Sequence, residues 1–192
     1  MKPYSNFKMI ACVLLLSLGV NAQSYKLDNE TSNLIIEGTS NIHDWTIEAE
    51  NTSGNLTAEF EEGFLESISN LDFKVKTESL MSGKSGMDKN TYKALNTDKY
   101  KEIAFRLKDV QKIEKATADS YKVKAKGSLE ISGTKKDIAL DFDLKKNGNK
   151  IVLTGDHKLN MTDFGIEAPT ALFGTITTDE DVIIKFESHF KN

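Results

Sequence analysis

YKVKAKGSLEISGTKKDIALDFDL, Tyr121 to Leu144, decides how this chain folds. Tyr121, Val123, Ala125, Gly127, Leu129 and Ile131 alternate with Lys122, Lys124, Lys126, Ser128 and Glu130. After Ser132-Gly133-Thr134 the rhythm resumes, with Ile138, Leu140, Phe142 and Leu144 set against Asp137, Asp141 and Asp143. Successive side chains on a strand point to opposite faces, so the stretch predicts a hairpin with one apolar and one charged face. Lysines on one strand and aspartates on the next favour pairing across the ladder. At about 3.3 Å per residue the first strand reaches roughly 35 Å. A hairpin that long, wet on one side, suits an antiparallel sheet curling around its apolar face.

Outward from the hairpin, most of the chain repeats the pattern. Tyr25 and Leu27, Leu34 to Gly38, Ile47 and Ala49, and Leu56 to Phe60 read as strands. Leu71 to Val75, Ile103 to Leu107, Ile151 to Leu159 and Val182 to Phe186 follow. Turn clusters at Asn51–Gly54, Glu61–Gly63 and Lys146–Asn149 separate them. Ser79 to Tyr100 breaks the rhythm: Met87, Thr91, Ala94 and Leu95 fall at helical spacing, which predicts one short amphipathic helix. Ser82-Gly83-Lys84-Ser85 echoes a phosphate loop but lacks its strand-to-helix context. The expected fold class is all-β, a closed antiparallel eight-stranded barrel with one short inserted helix.

The first 22 residues read as an export signal. Lys2 and Lys8 precede the apolar run Met9–Val20, and Val20-Asn21-Ala22 offers a small-residue cleavage site before Gln23. The run is too short to span a bilayer as a helix. Cys12 lies inside it, ahead of where a lipidated cysteine would stand. Residues 23–192 then form one domain, periplasmic or secreted, without any cysteine. Removing the two lysines leaves 23 basic residues against 29 acidic ones, a net charge of −6. With Arg106 the one arginine and no basic excess, nucleic-acid binding is not expected.

The order of the residues resembles the YceI-like family, exported lipocalin-like barrels associated with polyisoprenoid binding. Leu129-Glu130-Ile131-Ser132-Gly133-Thr134-Lys135-Lys136 is similar to its Leu-Thr-Ile-x-Gly-Val-Thr-Lys hairpin. Asp163-Phe164-Gly165-Ile166 is similar to its Asp-Phe-Gly-Ile loop, and Tyr100 with Ile103 and Phe105 to its Tyr-Pro-x-Ile-x-Phe strand. The likeness runs from Tyr25 to Phe190. Lys101 replaces the proline after Tyr100, Asp137 stands where a proline often follows the turn, and the paired phenylalanines before Tyr100 are missing. This marks a divergent member. The resemblance implies a lipocalin-like frame and a long-chain isoprenoid lipid as partner, of the quinone or polyprenyl phosphate type.

An eight-stranded barrel either fills its interior or holds one small ligand. The expected lining is Phe73, Phe105, Leu129, Phe142, Leu153 and Ile184, with Trp45, Met87, Leu95 and Phe164 nearer the mouth. His157 falls on the apolar register of its strand, where an inward histidine with its own hydrogen-bond partners is the first expectation and contact with a ligand head group the second. His43, His157 and His189 have no metal-ligand spacing, no serine sits in a nucleophile signature, and the carboxylates are scattered. The chemistry expected is binding, with no catalysis, metal or cofactor. Two other readings fit the alternation. One is a ligand-free barrel serving as an interaction or stress-response module. The other is an integral outer-membrane barrel, against which stand the single tryptophan and the lack of aromatic girdles.

Overall fold

The computed structural model describes residues 21–192. Twelve strands form one antiparallel system: β1 Asn21–Leu27, β2 Asn33–Ser40, β3 Asp44–Ala49, β4 Thr52–Glu61, β5 Phe64–Lys76, β6 Leu80–Met81, β7 Glu102–Lys115, β8 Ser120–Ile131, β9 Thr134–Asn147, β10 Lys150–Asn160, β11 Thr170–Ala171 and β12 Ile176–Lys191. The one α-helix among the described residues, α1 Ser85–Leu95, sits between β6 and β7. Eight strands, β1-β4-β5-β7-β8-β9-β10-β12, make a ring closed by β1 on β12. The hairpin β2–β3 is not one of those eight strands: β2 pairs β12 beside the β1 seam, and β3 pairs β6. The export signal expected over residues 1–22 lies outside the described residues except for Asn21 and Ala22. These two head β1, opposite Phe60 and Glu59.

The predicted hairpin is β8–β9, and its alternation sets the wall. Lys122 stands opposite Asp143 and Lys124 opposite Asp141, while Lys126 faces Ala139. These charges are exposed, and Val123, Leu129, Phe142 and Leu144 are buried. The apolar face thus points into the ring and the charged face to solvent, the reverse of a barrel whose outer band must meet lipid. Ser132 and Gly133 both hold positive φ, 48° and 77°, the two-residue turn that matches strand twist. Ordinary side chains resist that second value, and a Cβ at Gly133 would also strike the Tyr100 ring at 2.5 Å.

Closure rests on a short seam. Lys26 and Leu27 pair Lys191 and Phe190, the Asp28 N–H donates to the His189 carbonyl at 2.8 Å, and Lys191 Nζ meets Asp28 Oδ2 at 3.1 Å. That ammonium holds the Asp28 carboxyl below the usual carboxylate range. Near the seam the interior is solid. Tyr25, Leu56, Val123, Leu144, Ile151 and Phe190 are each at most 2% exposed, and Tyr121 accepts the Leu65 N–H at 3.1 Å.

This filled end should carry much of the stability, because deleting fully buried methyl groups leaves a cavity that neighbours cannot collapse into. Leu144→Ala is expected to cost about 2–5 kcal/mol in unfolding free energy, read from urea denaturation. A loss under about 0.5 kcal/mol, typical of surface positions, would show that the end is not packed as described.

An apolar cavity with one histidine in its wall

Toward the other end the ring is hollow. A cavity of about 510 Å³ runs from Phe190 and Ser188 up to a mouth framed by α1, the β2–β3 loop and the segment leading into β12. That volume lies inside the range of ordinary small-molecule sites, about 300–1,000 Å³. Its wall comes from inward positions of the strands: Leu34 and Ile36 on β2, Ile47 on β3, Leu71, Phe73 and Val75 on β5, Phe105 on β7, Leu129 on β8 and Ile138 and Leu140 on β9. Leu153, His157, Val182, Ile184 and Phe186 complete it from β10 and β12.

Of the residues expected from sequence, Phe73, Phe105, Leu129, Leu153 and Ile184 line this space, Trp45, Met87 and Leu95 stand in its wall beside the mouth, and His157 faces in from β10. Phe142 and Phe164 do not border it. Phe142 has the inward register but sits low, opposite Val123 and beside Gly155, where the interior is packed. Phe164 is 3% exposed in a short 3-10 turn, Met161–Phe164, between the upper parts of β9 and β10. Those strands pair only over 143–147 and 150–154, so their upper halves diverge. The turn lies against both, and Lys136 Nζ on β9 meets Asp163 Oδ1 at 2.6 Å. Sequence reasoning missed Ile36, Ile138, Leu140 and Phe186 as lining; their alternation was visible, but how deep each sits was not.

The mouth is built by specific contacts. Trp45 lays its indole across Gly38, where a Cβ would come within 2.1 Å of the ring, and its Nε1 donates to the Thr39 carbonyl at 3.1 Å. Asp88, buried on α1, accepts from the Ser82 N–H at 2.7 Å and the Ser82 hydroxyl at 2.6 Å, fixing the approach to the helix. At the far end Ser132 donates to the Leu95 carbonyl at 2.9 Å, and Asn96 adopts the left-handed conformation that ends helices. Met87, Asn90, Thr91, Ala94 and Leu95 then cover the cavity, with Lys84 beside them. Among the described residues no group of three His, Cys, Asp or Glu side chains gathers within metal-binding range.

The YceI-like domain family matches residues 25–190. This chain belongs to the YceI-like family. Solved structures agree on the fold. A polyisoprenoid binding domain from Saccharophagus degradans, implicated in plant cell wall breakdown, superposes with a TM-score of 0.67 at 12% identity, over 87% of this chain and 97% of that one. BcnA of Burkholderia cenocepacia gives 0.65 at 15% identity, over 85% and 98%. The YceI protein of Campylobacter jejuni gives 0.56 at 20% identity, over 100% and 99%. No curated protein matches the sequence.

Within this YceI-like barrel His157 stands alone in chemistry. The other titratable groups touching the cavity, His43 and Lys84, belong to its mouth. Burial pushes the His157 imidazole below its ordinary pKa, opposed in part by the neighbouring Asp156 carboxylate. The folded protein therefore holds this ring neutral where the unfolded chain binds a proton. Its contribution to stability is complete above the unfolded value of about 6.5 and is lost as pH falls toward the lower folded value. Comparing wild type with His157→Gln by denaturation from neutral pH to about pH 5 should show a smaller acid loss in the variant. Equal losses would mean that the ring protonates as freely in the fold as out of it.

Proposed function

We propose that this protein is an exported carrier that holds one long-chain isoprenoid, of the quinone or polyprenyl phosphate type, inside its barrel. The observation that carries the reading is the apolar cavity of about 510 Å³, closed at the Phe190 end and open beside Trp45 and α1. Each buried CH₂ is worth about 0.8 kcal/mol, so ten chain carbons bring a gross gain of roughly 8 kcal/mol. Immobilising the chain removes part of that and leaves useful affinity. The likeness to a polyisoprenoid binding domain supports the same class of ligand.

The chain enters tail first, because the wall between Phe190 and Leu140 offers a charged group one hydroxyl, that of Ser188, and no charged partner. The head group stays in the upper half. A neutral His157 can donate to or accept from a carbonyl or hydroxyl, and Lys84 at the mouth suits a phosphate. No catalytic group takes part. Export follows from the basic and apolar run at residues 1–22, with the mature protein in the periplasm or secreted.

Trp45 is the one tryptophan of the chain and touches the cavity, so its emission reports occupancy. Protein purified from its native envelope should release a stoichiometric isoprenoid on organic extraction, identified by mass spectrometry. The emptied protein should respond in Trp45 emission to added geranylgeraniol. Leu140→Lys places a charge in the lining and should weaken that response by about tenfold or more with the melting transition kept cooperative. Neither lipid in the extract nor a response to added isoprenoid would leave a ligand-free module as the better description. Export is checked separately: the mature N-terminus should be Gln23, in a fraction released by carbonate.

A further inference from the structure

Beside the cavity mouth the chain exposes three large apolar side chains. Phe173 is exposed to 110% of its reference value, Leu172 to 68% and Ile42 to 57%. They belong to two loops held together by one asparagine. Asn41 donates from Nδ2 to the Thr175 carbonyl at 2.9 Å, accepts the Thr177 N–H at Oδ1 at 3.1 Å, and donates its own N–H to the Thr177 carbonyl at 3.1 Å. Ile42, Pro169, Ala171 and Ile176 from the same two loops line the cavity mouth, so the exposed tip is continuous with the entrance.

The backbone of the tip is held in a costly form. Leu172 and Phe173 have φ of 47° and 58°, a region that side chains bearing a Cβ avoid. Thr175 locks the turn by donating its N–H at 3.2 Å and its hydroxyl at 2.8 Å to the Leu172 carbonyl. This conformation wins no packing inside the protein, since both side chains point to water. Among the described residues Phe64 is also exposed but differs: Lys115 Nζ stands 3.7 Å over the face of its ring.

We infer that the Ile42–Leu172–Phe173 tip inserts into the surface of a lipid bilayer and sets the cavity mouth against it. The inference rests on the carrier reading above and adds where the ligand is collected and returned. A lipid surface fits better than a protein partner for two reasons. The tip protrudes, with the Phe173 ring clear of its surroundings at 110% of its reference exposure. Its three side chains, the aromatic one contributing about 150–250 Å² at most, fall well short of the roughly 800 Å² that each partner of a stable protein complex buries. Asp179 and Glu180, exposed next along the chain, disfavour a strongly anionic surface, so the bilayer is a zwitterionic one.

Flotation of the full mature chain with phosphatidylcholine vesicles tests this. Wild type should float with the vesicles, and each of Leu172→Ser and Phe173→Ser should weaken the partition by about tenfold, the worth of one large apolar side chain. Both positions are exposed, so the variants should keep the melting transition and, without vesicles, the Trp45 response to geranylgeraniol. Wild type that stays in solution, or variants that float as well as wild type, would overturn the inference. So would a wild-type dimer on gel filtration that Phe173→Ser converts to monomer, because the tip would then bind a second copy. Absence of any Trp45 response in wild type overturns the carrier reading instead, and the flotation result then stands by itself.

Discussion

Everything in this molecule depends on what β12 does with its two edges. Along one edge all of Lys150–Asn160 pairs with it. Along the other, β2 takes the stretch from Thr178 to Glu187, and β1 takes only Lys191 and Phe190. A strand with an open edge is a template for aggregation, and a closed ring removes that edge. Here closure is shared between a short seam at one end and the β2–β3 hairpin at the other. The seam draws Leu27 and Phe190 together, and the side chains packed beside it are almost fully buried. The hairpin widens the other half, and the space inside it is the cavity. The division of the barrel into a filled and a hollow half thus follows from its pairing.

The three sequence pieces that carry the family resemblance lie far apart in the chain, yet they meet at the β8–β9 turn. Tyr100 packs over Gly133, Thr134 stands 3.8 Å from where a Cβ on Gly165 would lie, and Ser132 binds the last carbonyl of α1. Thr77, 1% exposed, donates to the Tyr100 carbonyl at 2.8 Å and holds the helix-to-β7 passage from the opposite side. These residues hold α1 and the Asp163–Ile166 loop onto the rim of the open end. The departures from the family pattern leave this contact set standing. Lys101 in place of proline keeps its carbonyl free to accept the Thr77 N–H at 3.0 Å.

The frame was legible because alternation reports which face of a strand a residue takes, and a ring has only an inside and an outside. β8, β9 and β10 read directly. β5 read only from Leu71 onward, although it begins at Phe64. Its earlier buried residues, Leu65, Ile68 and Leu71, fall three apart, since the β4–β5 pairing shifts register twice, at Thr57/Ala58 and Glu59/Phe60. A bulge adds one residue to one strand and so hides a period of two. The position of β2–β3 was not legible either, because it depends on which strand β12 selects, a pairing between residues 138 to 154 positions apart in the chain.

Depth along the barrel was the harder quantity. Phe142 and Leu140 share a face and are two residues apart, but one is locked against Val123 and the other borders empty space. Their sequence contexts are alike. The difference comes from what other strands bring to the same level: Val123, Leu144 and Ile151 fill the lower level, while above it β9 and β10 part and α1 spans the top. A histidine at the level of His157 makes sense only in the hollow half. Among packed side chains its ring nitrogens would need fixed partners, and unpaired polar atoms there are costly. Facing a cavity that opens to the mouth, the ring is desolvated enough to stay neutral and still free to bond whatever enters. A polar residue on an otherwise apolar register, His157 on β10 and Ser188 on β12, is therefore a local mark of the hollow that this sequence carries.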